Sequence, residues 1–434
     1  MGVRGAIFSV LVLIATACTQ VDPEDLVIPG TSTPSSSTTV PSTSAPTDSG
    51  DSDPARESPG GVIAVGGGAD GAVVDASGKI EVATPDGVYF RQPTWSRDGR
   101  SAVMIDSGAP GSGRVHVTDA LDGDRSISDA ARGYFFFSWS PAGDLIAALG
   151  PGPEGTSLDI LDADGEALSG QTLGAGSFYV AWEPGGDDLL VHRDRTLELV
   201  RDPTDLATRE SLGEPGQRFL APAWIPNSRD ALVVVDGGAG SRLISLNVDT
   251  GEEVDLGPVS GSAGIVVSPD GSRALIAHGV TGAGADIEIA HAAVDRPSAD
   301  RPVQQVVAPT ELVDLASGHR TMVSTEPTFW AEWSPDGARI ALMQAATGAV
   351  EWVIWEDGAT RRLGDFRPAP VFFRDYLFFA WQFVESPRVW SPTGDALVYA
   401  ALDEENGSAI FVHHLSDDDA ERIAAGDVAF WSAE

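Results

Sequence analysis

The stretch that decides the fold is Glu332-Trp333-Ser334-Pro335-Asp336-Gly337-Ala338-Arg339-Ile340-Ala341-Leu342-Met343, in which a short polar segment separates two apolar ones. Proline fixes one backbone angle of a tight turn, and glycine accepts the positive φ that such a turn requires. The apolar residues on either side are suited to short strands. The stretch therefore predicts a β-hairpin whose first strand ends at Trp333.

The same pattern recurs through the chain after residue 60. Copies contain Trp95, Trp139, Trp182, Trp224, Trp333 and Trp390, a truncated copy ends at Trp431, and one copy has Val267 in the tryptophan position. Most neighbouring copies are 41 to 44 residues apart, and two separations are longer, 66 and 57 residues. A period of about 40–45 residues is typical of β-propeller blades. We interpret the seven tryptophans as structural residues that pack between blades.

Each unit reads as four strands, here called A to D in chain order. Strand A ends at the tryptophan, strand B follows the Pro-Asp-Gly turn, and strand C alternates in polarity, as in residues 350–355. An Asp/Gly turn such as Asp357-Gly358 then leads to strand D. The aspartates in the A–B turns, Asp98, Asp270 and Asp336, are interpreted as turn formers.

The two ends of the repeat region are each incomplete. Residues 61–90 contain three strand-like runs, Ala72–Asp75, Lys79–Ala83 and Val88–Phe90, and residues 427–432 form an A strand with nothing after it. If both fragments share one blade, the ring closes and no sheet edge remains open between its ends. The predicted fold is an all-β propeller with eight four-stranded antiparallel blades, or seven if residues 61–90 do not form a blade.

The Trp-Ser-Pro-Asp-Gly units resemble the WD40-like repeats of the TolB-type propellers over nearly all of residues 61–434. The resemblance implies the fold. It does not select a function, because such propellers include protein-binding periplasmic proteins, peptidase-associated domains and a few enzymes that act on polysaccharides.

The N-terminal residues are interpreted as a signal peptide for export. Residues 1–18 combine Arg4, a ten-residue apolar stretch and the sequence Ala15-Thr16-Ala17-Cys18, which resembles a bacterial lipobox although leucine is commoner at position 15. Cys18 is the only cysteine in the chain, and we expect it to carry the lipid. Residues 19–60 are rich in Ser, Thr and Pro and are predicted to be a disordered tether. The predicted organisation is thus a signal peptide (1–18), a tether (19–60) and a propeller (61–434), exported and anchored on the outer face of the cytoplasmic membrane or the periplasmic side of the envelope.

The charge composition limits the kinds of partner that the protein is expected to bind. With 64 acidic side chains against 27 Lys and Arg, the formal net charge is −37, and Lys79 is the only lysine. A nucleic-acid partner is therefore not expected, because phosphate backbones require clustered cations. The absence of further cysteines excludes disulfides within the chain, Fe–S clusters and cysteine-rich zinc sites, and no cofactor or metal is expected.

Two long insertions, residues 279–307 and 364–388, are predicted at the end of the ring opposite the Pro-Asp-Gly turns. The second is rich in aromatic residues and arginine, the residue types enriched in interaction hot spots. It supplies the candidate binding rim, Arg367, Phe372, Phe373, Arg374, Tyr376 and Trp381. The alternative is that these rings fold back over a blade edge.

Motifs for catalysis are absent: the chain has no G-x-S-x-G, no HExxH and no phosphate-binding glycine loop. The sequence favours a non-enzymatic binding or scaffold lipoprotein of the cell envelope, with a protein or a cell-wall polymer as ligand. Two alternatives remain open at this stage. One is an envelope enzyme acting on polysaccharide or peptide at the channel mouth, and the other is a subunit of an envelope assembly or sensing complex.

Overall fold

Each Trp-Ser turn segment forms the predicted hairpin, and the hairpins are arranged as a β-propeller. The computed structural model describes residues 61–433 except 69, 107–112, 121–122, 124, 129–131, 175–177, 187, 194, 214–220, 238–239, 261–262, 279–308, 347–348, 378–380 and 382–386. Cys18, the signal peptide and the tether lie outside these residues. Among the described residues, no helix is both long and apolar enough to cross a bilayer.

Eight antiparallel sheets make up the ring, numbered here as blades 1 to 8. Blade 1 contains β1 (Ile63–Gly66), β2 (Gly71–Val74), β3 (Ile80–Ala83) and the last strand, β31 (Val428–Trp431). Blade 2 contains β4 (Phe90–Trp95), β5 (Ser101–Asp106), β6 (Val115–Asp119) and β7 (Arg125–Ile127). Blade 3 contains β8 (Phe136–Trp139), β9 (Leu145–Gly152), β10 (Gly155–Asp162) and β11 (Ala167–Gly174). Blade 4 contains β12 (Phe178–Trp182), β13 (Leu189–Arg193), β14 (Thr196–Val200) and β15 (Glu210–Gly213).

The second half of the ring repeats the plan. Blade 5 contains β16 (Ala223–Trp224), β17 (Asp230–Gly237), β18 (Gly240–Asn247) and β19 (Glu253–Val259). Blade 6 contains β20 (Ala263–Val267), β21 (Arg273–His278), β22 (Thr310–Asp314) and β23 (Arg320–Ser324). Blade 7 contains β24 (Thr328–Trp333), β25 (Arg339–Ala346), β26 (Ala349–Glu356) and β27 (Ala359–Phe366). Blade 8 contains β28 (Ala396–Leu402), β29 (Ser408–His414) and β30 (Glu421–Ala425), after the short helix α1 (Pro370–Asp375).

The ring closes within blade 1, as the sequence predicts. β31 pairs with β1 in antiparallel register, with Ile63 opposite Trp431 and Gly66 opposite Val428. Of the three runs expected in this blade, Val88–Phe90 was wrong, because Phe90 begins the first strand of blade 2. The strand that pairs with β31 is instead Ile63–Gly66. Eight blades, not seven, are therefore present.

Tryptophan side chains link successive blades by one repeated hydrogen bond. The indole N–H of each donates to the carbonyl of the residue that precedes the corresponding tryptophan position in the previous blade. The pairs are Trp95 to Phe430, Trp139 to Thr94, Trp182 to Ser138, Trp224 to Ala181, Trp333 to Val266 and Trp390 to Glu332, at 2.9–3.1 Å. Val267 has no donor for this bond. Within the described residues, the buried indole N–H of Trp431 has no acceptor.

The A–B turns are stabilised by hydrogen bonds between serine and aspartate side chains. The Ser334 hydroxyl donates to Asp336 at 2.5 Å and accepts the backbone N–H of Arg339 at 2.9 Å. Asp98 and Asp270 accept the same bond from the serine two residues before them. Arginines at the start of strand B extend the linkage forward, because Arg273 donates to the carbonyl of Gly337 and Arg339 to that of Gly394.

The connections alternate between the two ends of the ring because the strands of each blade are consecutive and antiparallel. The A–B and C–D turns lie at one end, here called the turn end. The B–C and D–A connections lie at the other, here called the insertion end. The A strands are the innermost strands and surround the central channel.

Candidate binding site in the central channel

The innermost strand of blade 8 is interrupted. Pro368 pairs with Ala401, and the N–H of Ala369 donates to the carbonyl of Ala400 at 3.1 Å. The same edge of β28 is then paired further along by a later segment, in which Trp390 lies opposite Leu397. Two short segments thus share the position of one A strand, and helix α1 and Trp381 lie between them in the chain.

The second insertion therefore starts inside a strand position. The sequence analysis placed residues 364–388 in the D–A connection at the insertion end; the structure keeps this end of the ring, but the insertion begins within the strand A position of blade 8. Residues 367–369 already belong to blade 8. No local signal distinguishes these alternatives, because the segment 367–369 pairs through only a few bonds that depend on β28.

Helix α1 and the residue after it pack against innermost strands of other blades. Phe372 and Tyr376 are buried, with 2% and 3% of their surface exposed. The Phe372 ring lies 6.0 Å from Trp330 of blade 7, and the Tyr376 ring lies 5.7 Å from Phe430 of blade 1. Trp330 and Phe430 also stack on each other at 6.1 Å. These four rings form an aromatic cluster that bridges blades 1 and 7.

The insertion also contacts blade 6. The Trp381 ring lies so close to Gly264, in the innermost strand β20, that a Cβ at that position would overlap it. Trp381 is only partly buried and packs on the interior cluster that includes Trp333. Glycine at position 264 is therefore required by the approach of this ring.

A polar cluster lies next to the aromatic one and joins the helix to blade 2. Asp375 accepts hydrogen bonds from Arg374 at 2.6 and 2.9 Å and from Arg91 of β4 at 2.5 Å. Burial favours the neutral acid, but the hydrogen bond from Arg374 and the charge of Arg91 hold the pKa of Asp375 below its usual value.

Nearby, the Tyr89 hydroxyl donates to Asp427. Burial, and then this hydrogen bond, raise the pKa of Tyr89. The Asp375 carboxylate is thus held by two arginines, and the Asp427 carboxylate accepts a hydrogen bond from a tyrosine.

The structure buries some of the predicted rim residues and exposes others. Phe372 and Tyr376 lie inside the aromatic cluster, and Phe373 is partly buried against the same core. Arg374 is exposed over 61% of its side chain. Arg367 is also exposed and donates to the Asn406 side chain at 3.2 Å. The exposed part of the rim is therefore the arginines, while two of the aromatic residues support them from within.

A second polar group, missed by sequence reasoning, lies where the insertion returns to the ring. Glu332, in the innermost strand of blade 7, accepts the N–H of Val389 at 2.9 Å through its carboxylate. Burial raises the pKa of this carboxyl to about 7, against the lowering effects of that N–H and of Arg388. The only sequence signal was a glutamate directly before a blade tryptophan, where the other copies have apolar residues, Ser or Thr.

Other buried ionisable side chains are paired with groups of the same or the neighbouring blade. His278 accepts the N–H of Ser260 through Nδ1 at 3.1 Å, so its Nε2 carries the proton and donates to Glu311 at 3.0 Å. Arg320 donates to the same carboxylate at 2.9 Å. In blade 3, buried Asp159 accepts from Tyr134 and Arg132, each at 2.7 Å. Among the described residues, no group of His, Cys, Asp and Glu is arranged to hold a metal ion.

Comparison with known proteins defines the class of fold. By sequence, the chain matches no protein-family model and no curated protein. Its structure is similar to that of a eukaryotic initiation factor, with 11% identity over 86% of this chain and 98% of the other and a TM-score of 0.51. It is also similar to the dihydro-heme d1 dehydrogenase NirN in complex with DHE, with 15% identity over 88% of this chain and 77% of the other and a TM-score of 0.56.

TolB from Acinetobacter baumannii matches at 15% identity over 80% of this chain and 82% of the other, with a TM-score of 0.38. Identities this low show the fold alone. The chain is an eight-bladed β-propeller whose innermost strand in blade 8 is interrupted by an insertion that packs across to blades 1, 2, 6 and 7.

Proposed function

We propose that this propeller is an exported, lipid-anchored binding protein of the cell envelope, which holds a protein or a cell-wall polymer at its insertion end. The N-terminal sequence supports the anchor: a short apolar stretch precedes Cys18, and a polar Ser/Thr/Pro-rich segment follows it. Several acyl chains on one cysteine would hold the protein stably to a membrane.

The observation that carries the proposal is the insertion across the innermost strands. It presents exposed Arg374 in the last turn of helix α1 and fixes that helix through the aromatic cluster beneath. Arginines presented by a rigid element lose little entropy on binding, and arginine is enriched at interaction hot spots. Arg367 extends this surface toward the B–C turn of blade 8.

The polar cluster beside the helix supports the proposed binding surface. Asp375 is paired with Arg374 and Arg91, and the Tyr89 hydroxyl donates to Asp427. The arginines of this surface can donate hydrogen bonds to carboxylates and polar groups on a ligand.

The anchor is tested with Cys18→Ser. We expect the wild-type chain to incorporate a clickable palmitate analogue and to sediment with membranes, whereas Cys18→Ser incorporates none and is released. Thr16→Ser, which keeps a small residue in the lipobox-like segment, is the matched control and should behave as wild type. Labelling of Cys18→Ser at the wild-type level would refute the anchor assignment.

The binding surface is tested with detergent-solubilised full-length chain immobilised on beads. Purified cell-wall polymer and fractionated envelope proteins are presented separately, and retention is compared between wild type, Arg374→Ala and Arg361→Ala. Arg361 is an exposed arginine on the outer strand of blade 7 and serves as the control. We expect Arg374→Ala alone to lower retention of one of the two classes several-fold. Equal retention by all three proteins would refute the assignment of the binding surface to the insertion end.

A further inference from the structure

The outer strand of blade 3, β11, leaves one edge of its sheet open. It pairs with β10 on the inner side, and no other described strand pairs with it. Between two irregularities in register, this pairing is regular over residues 169–172. The backbone N–H and C=O groups of β11 that point away from β10 are therefore available to a strand from another chain.

The composition of β11 differs from that of the outer strands in the other blades. Its eight residues, Ala167–Gly174, include no charged residue and no proline. Each of the other seven outer strands, as the structure bounds them, contains at least one charged residue: Glu81, Arg125, Glu210, Glu253, Arg320, Arg361 or Glu421. Charges on an edge strand oppose pairing with a strand of another chain. β11 is thus the outer edge that lacks this protection.

The side chains along this edge are small or apolar. Ala167, Gly170 and Thr172 are all exposed. Leu168 has 50% of its surface exposed and offers an apolar contact beside the backbone. Glycine is required at position 170, because a Cβ there would overlap Oδ1 of Asp159 in the neighbouring strand. The middle of the edge therefore presents backbone groups with little side-chain obstruction.

The turn end of β11 is acidic. Two exposed carboxylates, those of Asp164 and Glu166, belong to the C–D turn that leads into the strand. The C–D turn of blade 4 lies against β11, because the Ser169 hydroxyl donates to the carbonyl of Pro203 at 3.0 Å. That turn contributes two more exposed carboxylates, Asp202 and Asp205. Among the side chains that the structure describes, none of these four forms an ion pair, and Arg201 beside them is paired with other carboxylates.

We propose that the outer edge of blade 3 binds an extended segment of a partner protein, which pairs with β11 as an antiparallel fifth strand and ends in basic residues. The paired part of the segment is uncharged, because its cross-strand neighbours on β11 offer a charge no partner. Its C-terminal end is basic, because antiparallel pairing places that end beside the four carboxylates. Backbone hydrogen bonds supply affinity in this mode of recognition.

The charge of the chain favours such a partner over self-pairing. A second copy of this chain would bring another net charge of −37 to the same edge, and repulsion between the two copies would oppose their pairing. A segment with basic residues is attracted instead. The edge lies on the outside of the ring, so this site is separate from the insertion-end surface proposed above.

Fluorescence anisotropy with the detergent-solubilised full-length chain tests the edge. The probe is a short, labelled peptide of alternating threonine and valine that ends in two arginines. One control peptide ends in two glutamates, and a second keeps the arginines but has N-methyl groups on alternate backbone nitrogens, which removes hydrogen-bond donors. We expect saturable binding of the arginine peptide and several-fold weaker binding of both controls. Equal binding of all three peptides, or no saturable binding, would overturn the proposal.

Matched variants locate the binding on the chain. Thr172→Lys adds a charge at an exposed position of β11 and should weaken binding of the arginine peptide several-fold, whereas Thr360→Lys, at an exposed position of the outer strand of blade 7, should not. Glu166→Gln should reduce the preference for arginine over glutamate in the peptide, and exposed Glu405→Gln in blade 8 should leave it unchanged. Wild-type behaviour of Thr172→Lys and Glu166→Gln would refute the site.

Hydrogen exchange and light scattering provide a second, independent readout. The bound arginine peptide should slow amide exchange within residues 167–174, and the chain without peptide should be monomeric. Slowed exchange confined to another blade would contradict the assignment. Self-association that Thr172→Lys abolishes would also contradict it and would assign the edge to a second copy. Arg374→Ala should bind the peptide as wild type does, so failure of this site would not affect capture at the insertion end.

Discussion

At the scale of single residues, the tryptophan positions do more than fill space between blades. Six of the indoles pack between blades and also donate a hydrogen bond to a buried backbone carbonyl of the previous blade, as Trp182 does to Ser138. Without the indole, that carbonyl would be buried without this donor. Trp431 shares the burial but not the bond, because it has no acceptor among the described residues. Two chemically identical side chains in equivalent positions therefore differ in one interaction.

This difference gives a matched pair of substitutions. Trp182→Phe removes the donor to the Ser138 carbonyl at 3.0 Å and leaves that acceptor unsatisfied, whereas Trp431→Phe removes a donor that has no partner. Both lose similar ring volume. We expect Trp182→Phe to cost about 1–2 kcal/mol more in the free energy of unfolding, since an unsatisfied buried group carries that penalty. Urea unfolding of both variants measures it, and equal losses would show that the hydrogen bond contributes little.

Glu332 is the residue whose ionisation should affect the fold itself. Its pKa is raised to about 7 in the folded chain from an ordinary value of 4.5, so the folded state binds more protons than the unfolded state between these pH values. The sign follows directly: this group destabilises the fold as the pH rises from about 4.5 to 7. Glu332→Gln should remove that decline, about 2–3 kcal/mol between pH 5 and 8. Urea midpoints across this range, with exposed Glu405→Gln as control, provide the measurement, and parallel curves for wild type and Glu332→Gln would contradict it.

At the scale of elements, the interruption of the A strand in blade 8 is the main departure from the repeat. The blade keeps its B, C and D strands and replaces one continuous strand by two short segments. The freed residues can then reach four other blades, which a loop outside the ring could not do. The close approach of Trp381 to Gly264 is part of this arrangement.

Gly264→Ala tests that contact. The added methyl group would overlap the Trp381 ring and displace it, and overpacking of this kind costs about 1–3 kcal/mol. If the clash is the cause, Gly264→Ala should cost much less in a Trp381→Ala background, and the two effects should be non-additive in urea unfolding. Gly185→Ala, at a glycine with open space around its Cα, is the control. Additive losses would mean that the ring does not lie over Gly264 in solution.

At the scale of the whole molecule, stability depends on pairing between residues far apart in sequence. β31 provides the innermost strand of blade 1, and its Phe430 and Trp431 are completely buried. In the same strand, the carbonyl of Phe430 accepts the indole N–H of Trp95, and the Phe430 ring contacts Tyr376 of the insertion. Ring closure and channel structure therefore depend on one four-residue strand.

Deletion of residues 428–434 should prevent stable folding. Losing one large buried side chain costs about 3–5 kcal/mol, and losing two approaches the full stability of a typical protein. The exposed edge of β1 would also promote association between chains. Circular dichroism and size-exclusion chromatography should show loss of the cooperative thermal transition and a shift to aggregates. Deletion of only residues 433–434 should leave both unchanged, and a cooperative monomer lacking residues 428–434 would refute this account of closure.

The sequence by itself determined the repeat and the closure and favoured eight blades over seven, because a turn such as Trp333-Ser334-Pro335-Asp336-Gly337 has a local conformation set by its own residues. It also singled out the aromatic and arginine-rich insertion. Only the tertiary structure decided where that insertion goes, since the pairing of Pro368 with Ala401 depends on a strand that follows it in the chain. The raised pKa of Glu332 likewise depends on burial by the returning chain, whose Val389, 57 residues further along, donates its N–H to this carboxylate. Local patterns encode turns and strands, whereas burial and charge in the channel depend on groups that the closed ring alone brings together.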